Sequence, residues 1–174
     1  VLATYADQLQ QGIAKSYDHH DLASFQKESK QFLDLISDLD RLLATRKEFL
    51  LGRWIQDART LGSTAEEKSQ FERNAKLQIT LWSDKNATLH DYACKQWSGM
   101  LSSFYKPRWE QFFDKALLSL KENKPMDLHA FDEQMKDWEW NWVITPKHYA
   151  DTTTGNPVTV SEELYRKYHF LFKQ

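Results

Sequence analysis

The sequence has few of the residues that interrupt helices, since only five of its 174 residues are glycine and four are proline. β-Sandwiches and barrels need frequent turns, which draw heavily on these two residues. Their scarcity, with 41% hydrophobic and 28% charged residues, favours long helices. A chain of this length is suited to one domain that buries about two-thirds of its unfolded surface. We therefore expect residues 1–174 to form a single all-α domain, an irregular bundle of about seven to eight helices.

Cysteine is nearly absent, because Cys94 is the only one in the chain. No intrachain disulfide can form, so the fold must rely on packing. We expect Cys94 to be a small buried side chain rather than a nucleophile. The six histidines show no His-Glu-x-x-His spacing, and the adjacent His19 and His20 point in different directions. The sequence therefore predicts no metal site and no cofactor.

Long hydrophobic runs and charge of one sign are also missing. No run approaches the roughly 20 apolar residues that a membrane-spanning helix needs. The net charge is only −2, with acidic and basic residues mixed along the chain, so no surface that follows a phosphate backbone is predicted. We expect neither a membrane span nor a nucleic-acid partner.

Apolar residues recur at three- and four-residue intervals through most of the chain, as in amphipathic helices. Several polar residues mark where these helices should begin. Asp21 is a good N-cap for the longest helix, Thr64 and Glu67 fit a capping box, and Pro107 is suited to the first turn of a later helix. Ser161 is expected to cap the last helix.

Aromatic residues lie where the helical pattern breaks after Trp82. The polar run at 83–86 favours a turn and should end the preceding helix. A further helix is expected to open within residues 88–90 and to carry Tyr92 and Trp97, which would place Trp82 and Tyr92 on either side of one junction. Such rings can stack on the C–H faces of a sugar. Because most aromatic residues fill cores, spacing alone leaves both the sugar-binding and the core interpretation open.

Four motifs occur in a fixed order along the middle of the chain: FLLGRWIQDAR at 49–59, LQITLW at 77–82, DYACKQWSG at 91–99 and YKPRW at 105–109. In this order they resemble the C-terminal helical region of the α-N-acetylglucosaminidases, glycoside hydrolase family 89. The resemblance is strong from Phe49 to Phe113 and weaker over the rest of the chain.

This resemblance implies an exo-acting, retaining enzyme that removes terminal α-linked N-acetylglucosamine with two glutamates on a barrel domain upstream of this region. It also implies that the helical domain packs on that barrel and forms one wall of the substrate pocket. The wall residues of the family fall on Trp82, Leu89 and Tyr92. The turn before Asp91 is one residue longer here than in the family, so Leu89 and His90 are both candidates for the middle position.

No catalytic residue is expected within the chain itself. Retaining glycoside hydrolysis needs two carboxyl groups about 5 Å apart, and nothing singles out such a pair among the 25 aspartates and glutamates. The expected partners are the upstream barrel and a glycan that ends in N-acetylglucosamine. Family habit implies a periplasmic or secreted bacterial parent, or a lysosomal one in a eukaryote. The alternative is a freestanding helical module that binds a protein partner through exposed aromatic residues.

Overall fold

The chain forms an all-α structure, as the sequence predicts. The computed structural model describes residues 1–86, 91 and 93–172, and within these ranges it has seven α-helices and no β-strand. A π-helical segment, Leu101–Tyr105, runs directly into α5, and two short 3-10 helices lie at Lys47–Phe49 and His169–Phe172. The α-helices are α1 Leu2–Asp18, α2 Leu22–Leu43, α3 Leu51–Arg59, α4 Ala65–Ile79, α5 Lys106–Glu122, α6 Leu128–Ile144 and α7 Pro157–Tyr168.

The predicted starts of three helices are confirmed. The Asp21 carboxylate accepts a hydrogen bond from the amide of Ser24 at 3.0 Å and caps α2, which is the longest of the described helices at 22 residues. At the start of α4, the Thr64 hydroxyl accepts from the Glu67 amide and the Glu67 carboxylate accepts from the Thr64 amide, both at 3.2 Å. Pro107 lies in the first turn of α5, directly after the π-helical segment.

The predicted cap of the last helix is wrong. Helix α7 begins at Pro157, one turn before Ser161, and Asn156 is its N-cap. The Asn156 side chain accepts hydrogen bonds from the amides of Val158 and Thr159 at 2.9 and 3.2 Å. An asparagine followed by proline meets the requirements of both the cap and the first helical position. This pair is therefore a stronger signal for a helix start than Ser161.

The helix predicted to carry Trp97 is also wrong, because residues 93–98 are not helical. Helical structure resumes only after Gly99, which has a positive φ of 85°. The cause is a side chain from a distant helix: Asp40 on α2 accepts hydrogen bonds from the amides of Gly99 and Ser102 at 2.8 and 3.1 Å. A tertiary contact therefore sets this helix start, and the local sequence does not.

Cys94 lies in this non-helical segment and is exposed, not buried as predicted. Its backbone has a positive φ of 41°, and its amide donates to the carbonyl of Asp91 at 3.0 Å. The expectation of burial depended on a helix that does not form here, so the side chain has no core-facing position to occupy.

Two hydrophobic cores lie on either side of the π-helical segment. The first is formed by α1, α2, α5 and α7, and the second by α3, α4, α6 and the loop that follows α6. Tyr105 packs against both. Large side chains at the centre of the first core include Phe25, Phe32, Leu35 and Phe113, and those of the second include Leu51, Ile79, Met100, Phe104 and Trp142.

Helix α3 packs closely on the loop after α6, and Gly52 makes this approach possible. A Cβ atom at Gly52 would lie 2.2 Å from the carbonyl oxygen of Ala150 and 2.6 Å from that of Tyr149. Backbone atoms cannot move aside as a flexible side chain can. The contact keeps the Tyr149 ring buried in the second core, 6.1 Å from the ring of Trp142.

We expect Gly52→Ala to lower the free energy of unfolding of this chain by about 2 kcal/mol, because the added methyl group must push α3 off the loop. Urea unfolding followed by circular dichroism measures this difference. Gly12→Ala in α1 is the matched control, since its Cβ would meet only the end of the Glu28 side chain and alanine favours a helix over glycine. Equal stabilities of the two variants would contradict the proposed close approach.

Candidate functional site

Trp82 lies just beyond the end of α4, in a sharp turn of the backbone. The two preceding residues, Thr80 and Leu81, are almost completely buried, whereas Trp82 is 54% exposed. Trp82 has a left-handed backbone with φ of 63°, and its amide donates to the carbonyl of Leu77 at 2.8 Å. This conformation is rare for a bulky residue, so the chain holds the indole outward against a backbone preference.

Of the four predicted substrate-binding residues, the structure describes Trp82. Leu89, His90 and Tyr92 lie outside the described residues. Asp91, which precedes Tyr92 in the sequence, is described, and its amide donates to the carbonyl of Thr80 at 3.1 Å. A backbone hydrogen bond therefore joins Asp91 to Thr80, the residue two positions before Trp82.

The Asp91 side chain is held by Arg108, in the first turns of α5. One terminal nitrogen of the guanidinium lies 2.6 Å from the Asp91 carboxylate, and its Nε lies 2.8 Å from the carboxylate of Glu139 on α6. The guanidinium also lies over the ring of Phe104, 5.0 Å from its centre. Glu139 is only 2% exposed, so this arginine joins a buried charge to a residue at the edge of the candidate site.

Tyr105 lies one helical turn before Arg108, on the inner side of the same cluster. Burial raises the pKa of its phenol well above the ordinary value, and the negative charge of Asp91 raises it further. The phenol is therefore neutral at any physiological pH. It fills space behind Asp91 without adding a charge.

A second charged cluster fixes α4 from within. Glu72 and Lys76 are both buried and form an ion pair of 2.8 Å one turn apart on this helix. The Lys76 ammonium donates to the carbonyl of Thr145 at 2.7 Å, while Glu72 accepts from the amide of Lys147 at 3.0 Å and pairs with Arg59 at 2.5 Å. We call these two residues and their partners the α4 ion-pair network.

The pKa values reflect the opposing effects of burial and pairing in this network. Burial by itself would raise the pKa of Glu72, but the hydrogen bonds from Lys76, Lys147 and Arg59 outweigh it and hold the pKa below the ordinary value. Burial lowers the pKa of Lys76, and the charge of Glu72 offsets this only in part. The glutamate therefore stays ionised because several donors surround it.

The four motifs that carry the family resemblance meet in space. Backbone hydrogen bonds join Phe49 and Leu51 of the first motif to Ser98 of the third at 2.8 and 3.0 Å. The second motif meets the third through the bond between Thr80 and Asp91, and the fourth meets it through Arg108. The third motif therefore contacts each of the other three.

Comparison with known proteins agrees with this arrangement. Residues 1–167 match the family model described as the alpha-N-acetylglucosaminidase C-terminal domain. The chain belongs to this family. Human alpha-N-acetylglucosaminidase is 32% identical over 136 residues, which are 78% of this chain and 18% of the human protein.

Solved structures of the family show the same fold. A family 89 glycoside hydrolase from Clostridium perfringens in complex with PUGNAc is 31% identical, with a TM-score of 0.84 over 97% of this chain. A double Glu-to-Gln variant of a family 89 enzyme from that organism, in complex with its substrate GlcNAc-alpha-1,4-galactose, is 29% identical with a TM-score of 0.83 over 96% of this chain. The chain spans about a fifth of the length of these relatives.

Sequence reasoning missed both charged clusters. Arg108 and Glu139 lie on different helices, and Glu72 and Lys76 have the one-turn spacing that is typical of an exposed helix face. Within the described residues, no group of His, Cys, Asp and Glu could hold a metal ion, and no helix is long and apolar enough to cross a membrane. Both charged clusters consist of side chains that meet only in the folded chain or are buried in it.

We expect Glu72→Gln to lower the free energy of unfolding of this chain by about 3 kcal/mol, because the lysine would be left buried without a counter-charge. Chemical denaturation at pH 7 measures the loss. Glu163→Gln is the control, since its pair with Arg41 is about half exposed on both sides and such pairs contribute little. A loss no larger than that of the control would contradict the role of the α4 ion-pair network.

The difference in unfolding free energy between the parent chain and Glu72→Gln should depend on pH. Because the pKa of Glu72 is lowered in the folded protein, its stabilising effect is complete above the ordinary value of 4.5 and is lost as pH falls through the lowered value. The stability difference between the parent chain and Glu72→Gln should therefore shrink below that pH. A difference that stays constant down to the acid transition would contradict the lowered pKa.

Proposed function

We propose that this chain is the C-terminal domain of an exo-acting, retaining α-N-acetylglucosaminidase that hydrolyses terminal α-linked N-acetylglucosamine. Family membership over residues 1–167 supports this proposal, as does the substrate named for the similar Clostridium perfringens enzyme. Because the relatives are about five times longer than this chain, we propose that a catalytic barrel upstream in the same polypeptide carries the reacting carboxylates. A freestanding interaction module is not favoured by these relatives.

The role that we propose for this domain is to form one wall of the substrate pocket. The observation that carries it is the exposed Trp82 ring, held outward by a left-handed turn at the end of α4. An indole in this position offers an apolar face on which the C–H face of a sugar can stack. Tyr92 and either Leu89 or His90 follow within ten residues in the sequence and would complete the wall.

The chemistry of the reaction explains why such a wall matters. The two carboxyl groups of a retaining glycosidase must lie on either side of one glycosidic bond, so the sugar has to be held in a fixed position between them. A wall on a second domain can hold the sugar without taking part in proton transfer. We propose a periplasmic or secreted location for a bacterial parent and a lysosomal one for a eukaryotic parent.

In the full-length enzyme, we expect Trp82→Ala to lower kcat/KM for an aryl α-N-acetylglucosaminide by about tenfold, which corresponds to ~1.4 kcal/mol of transition-state stabilisation. Steady-state kinetics measures the change, and thermal unfolding checks the fold. Tyr165→Ala is the control, because this ring is similarly exposed at 59% but lies on α7. Unchanged kinetics in the Trp82 variant would contradict the proposed pocket wall.

We expect the purified 174-residue chain to show no hydrolysis of the same substrate and no measurable affinity for N-acetylglucosamine. One wall cannot enclose the roughly 70–90% of a ligand's surface that a binding pocket buries. A chromogenic assay and isothermal titration calorimetry test the two parts. Turnover by the purified chain above that of a buffer control would overturn the assignment of catalysis to another domain.

A further inference from the structure

Arg108 occupies a position from which it can control the geometry of the candidate site. It lies in the first turns of α5, a helix whose backbone continues from the π-helical segment that Asp40 caps. Its side chain is a quarter exposed and reaches two carboxylates that belong to different parts of the chain. One is Glu139, buried on α6, and the other is Asp91, beside the turn that follows α4.

The arginine is itself held in place. Its Nε pairs with the nearly buried Glu139, and its planar group lies over the Phe104 ring. A guanidinium with two neighbouring carboxylates uses separate nitrogens for each, which fixes its orientation in a way that a lysine ammonium cannot reproduce. The terminal nitrogen that meets Asp91 is therefore presented at a defined point.

Asp91 is held in an unfavourable backbone conformation. Its φ is 54°, a left-handed value that is costly for a residue other than glycine and persists where the surroundings over-determine it. Three contacts do so here: Arg108 binds its carboxylate, the Thr80 carbonyl accepts from its amide, and its own carbonyl accepts from the Cys94 amide. Of these, the contact with Arg108 is the one made by a charged side chain from a separate helix.

These contacts connect Arg108 to the pocket wall through the backbone. Thr80 lies two residues before Trp82, and Asp91 directly precedes Tyr92 in the sequence. The bond between Thr80 and Asp91 thus ties Asp91 to the backbone two residues before Trp82. Displacement of Asp91 would break this link to the turn that bears Trp82.

We propose that Arg108 is a positioning residue for substrate binding, which acts through Asp91 to fix the segment that bears Trp82. This inference rests on the proposed function. Arg108 takes no part in bond cleavage and does not contact the sugar. Its loss should therefore weaken sugar binding by more than the accompanying loss of stability explains.

The first experiment uses Arg108→Gln in the full-length enzyme. We expect KM for the aryl substrate and the inhibition constant of N-acetylglucosamine both to rise at least fivefold, because the wall is no longer held in its binding geometry. A residue with only a structural role would reduce the amount of folded enzyme, and so kcat, and would leave both constants unchanged. That second pattern would overturn the proposal.

Two Asp-to-Asn substitutions provide an independent test, at Asp91, and its matched control, at Asp38. Asp91→Asn removes the charge that Arg108 binds but leaves Arg108 paired with Glu139, so it tests the proposal even if Arg108→Gln does not fold. Asp38→Asn removes a carboxylate that accepts from Lys167 and Tyr168 at 2.5 and 2.6 Å, between α2 and α7. We expect Asp91→Asn to raise KM and Asp38→Asn to lower only thermal stability. Equal effects of the two variants on KM would overturn the proposal.

The double variant identifies the route of the effect. If Arg108 acts through Asp91, adding Arg108→Gln to Asp91→Asn should raise KM little further, and fully multiplicative effects would contradict this route. Trp82→Ala separates the two hypotheses. Normal kinetics of Trp82→Ala would refute the pocket wall itself. Impaired kinetics of Trp82→Ala together with a normal KM of Arg108→Gln would refute only the positioning role.

Discussion

Lys76 and Glu72, both buried on α4, impose the constraint on which the second core depends. Neither charge can be removed from water cheaply, so each must be paired and its remaining hydrogen-bonding capacity satisfied. The partners come from α3, from the end of α6 and from the loop after it. A placement that satisfies all of them must bring these elements together around α4, which apolar packing alone does not require. Trp82 follows at the end of the same helix.

The candidate site lies between this network and a second charged cluster. The α4 ion-pair network fixes the helix that leads into the turn at Trp82. Arg108, which is paired with Glu139, fixes Asp91. Left-handed backbone at both Trp82 and Asp91 costs free energy. A local hydrogen bond to the Leu77 carbonyl supports Trp82, and tertiary contacts with Thr80 and Arg108 support Asp91. Strained backbone and a charged contact therefore lie together beside the exposed ring of Trp82.

Two helix starts set by neighbouring residues could be predicted from the sequence, although the equally local cap at Asn156 was missed, and features set by distant contacts could not be predicted. The caps at Asp21 and Thr64 depend on bonds that span three residues, which a pattern of side chains reveals. The start of the helical run before α5 depends on Asp40, and the exposure of Cys94 follows from it. Resemblance to the family made Trp82 a candidate before the fold was known. Arg108 and Glu139 meet only in the folded chain, and their spacing along the sequence carries no signal.

Two hydrophobic cores allow this domain to expose an aromatic ring without losing its fold. Stability is supplied by side chains that lie away from the turn, whereas the position of Trp82 depends on a few polar contacts beside it. Core packing and the polar contacts beside Trp82 can be changed separately, because removing a partly exposed ion pair leaves the apolar contacts of both cores in place. Under the function that we propose, the neighbouring domain that carries the reacting groups needs a rigid wall, and in this chain hydrogen bonds and ion pairs hold the backbone beside Trp82. The proposed contribution of the helical bundle to binding is therefore geometric, and the chemistry belongs to residues of the proposed upstream domain.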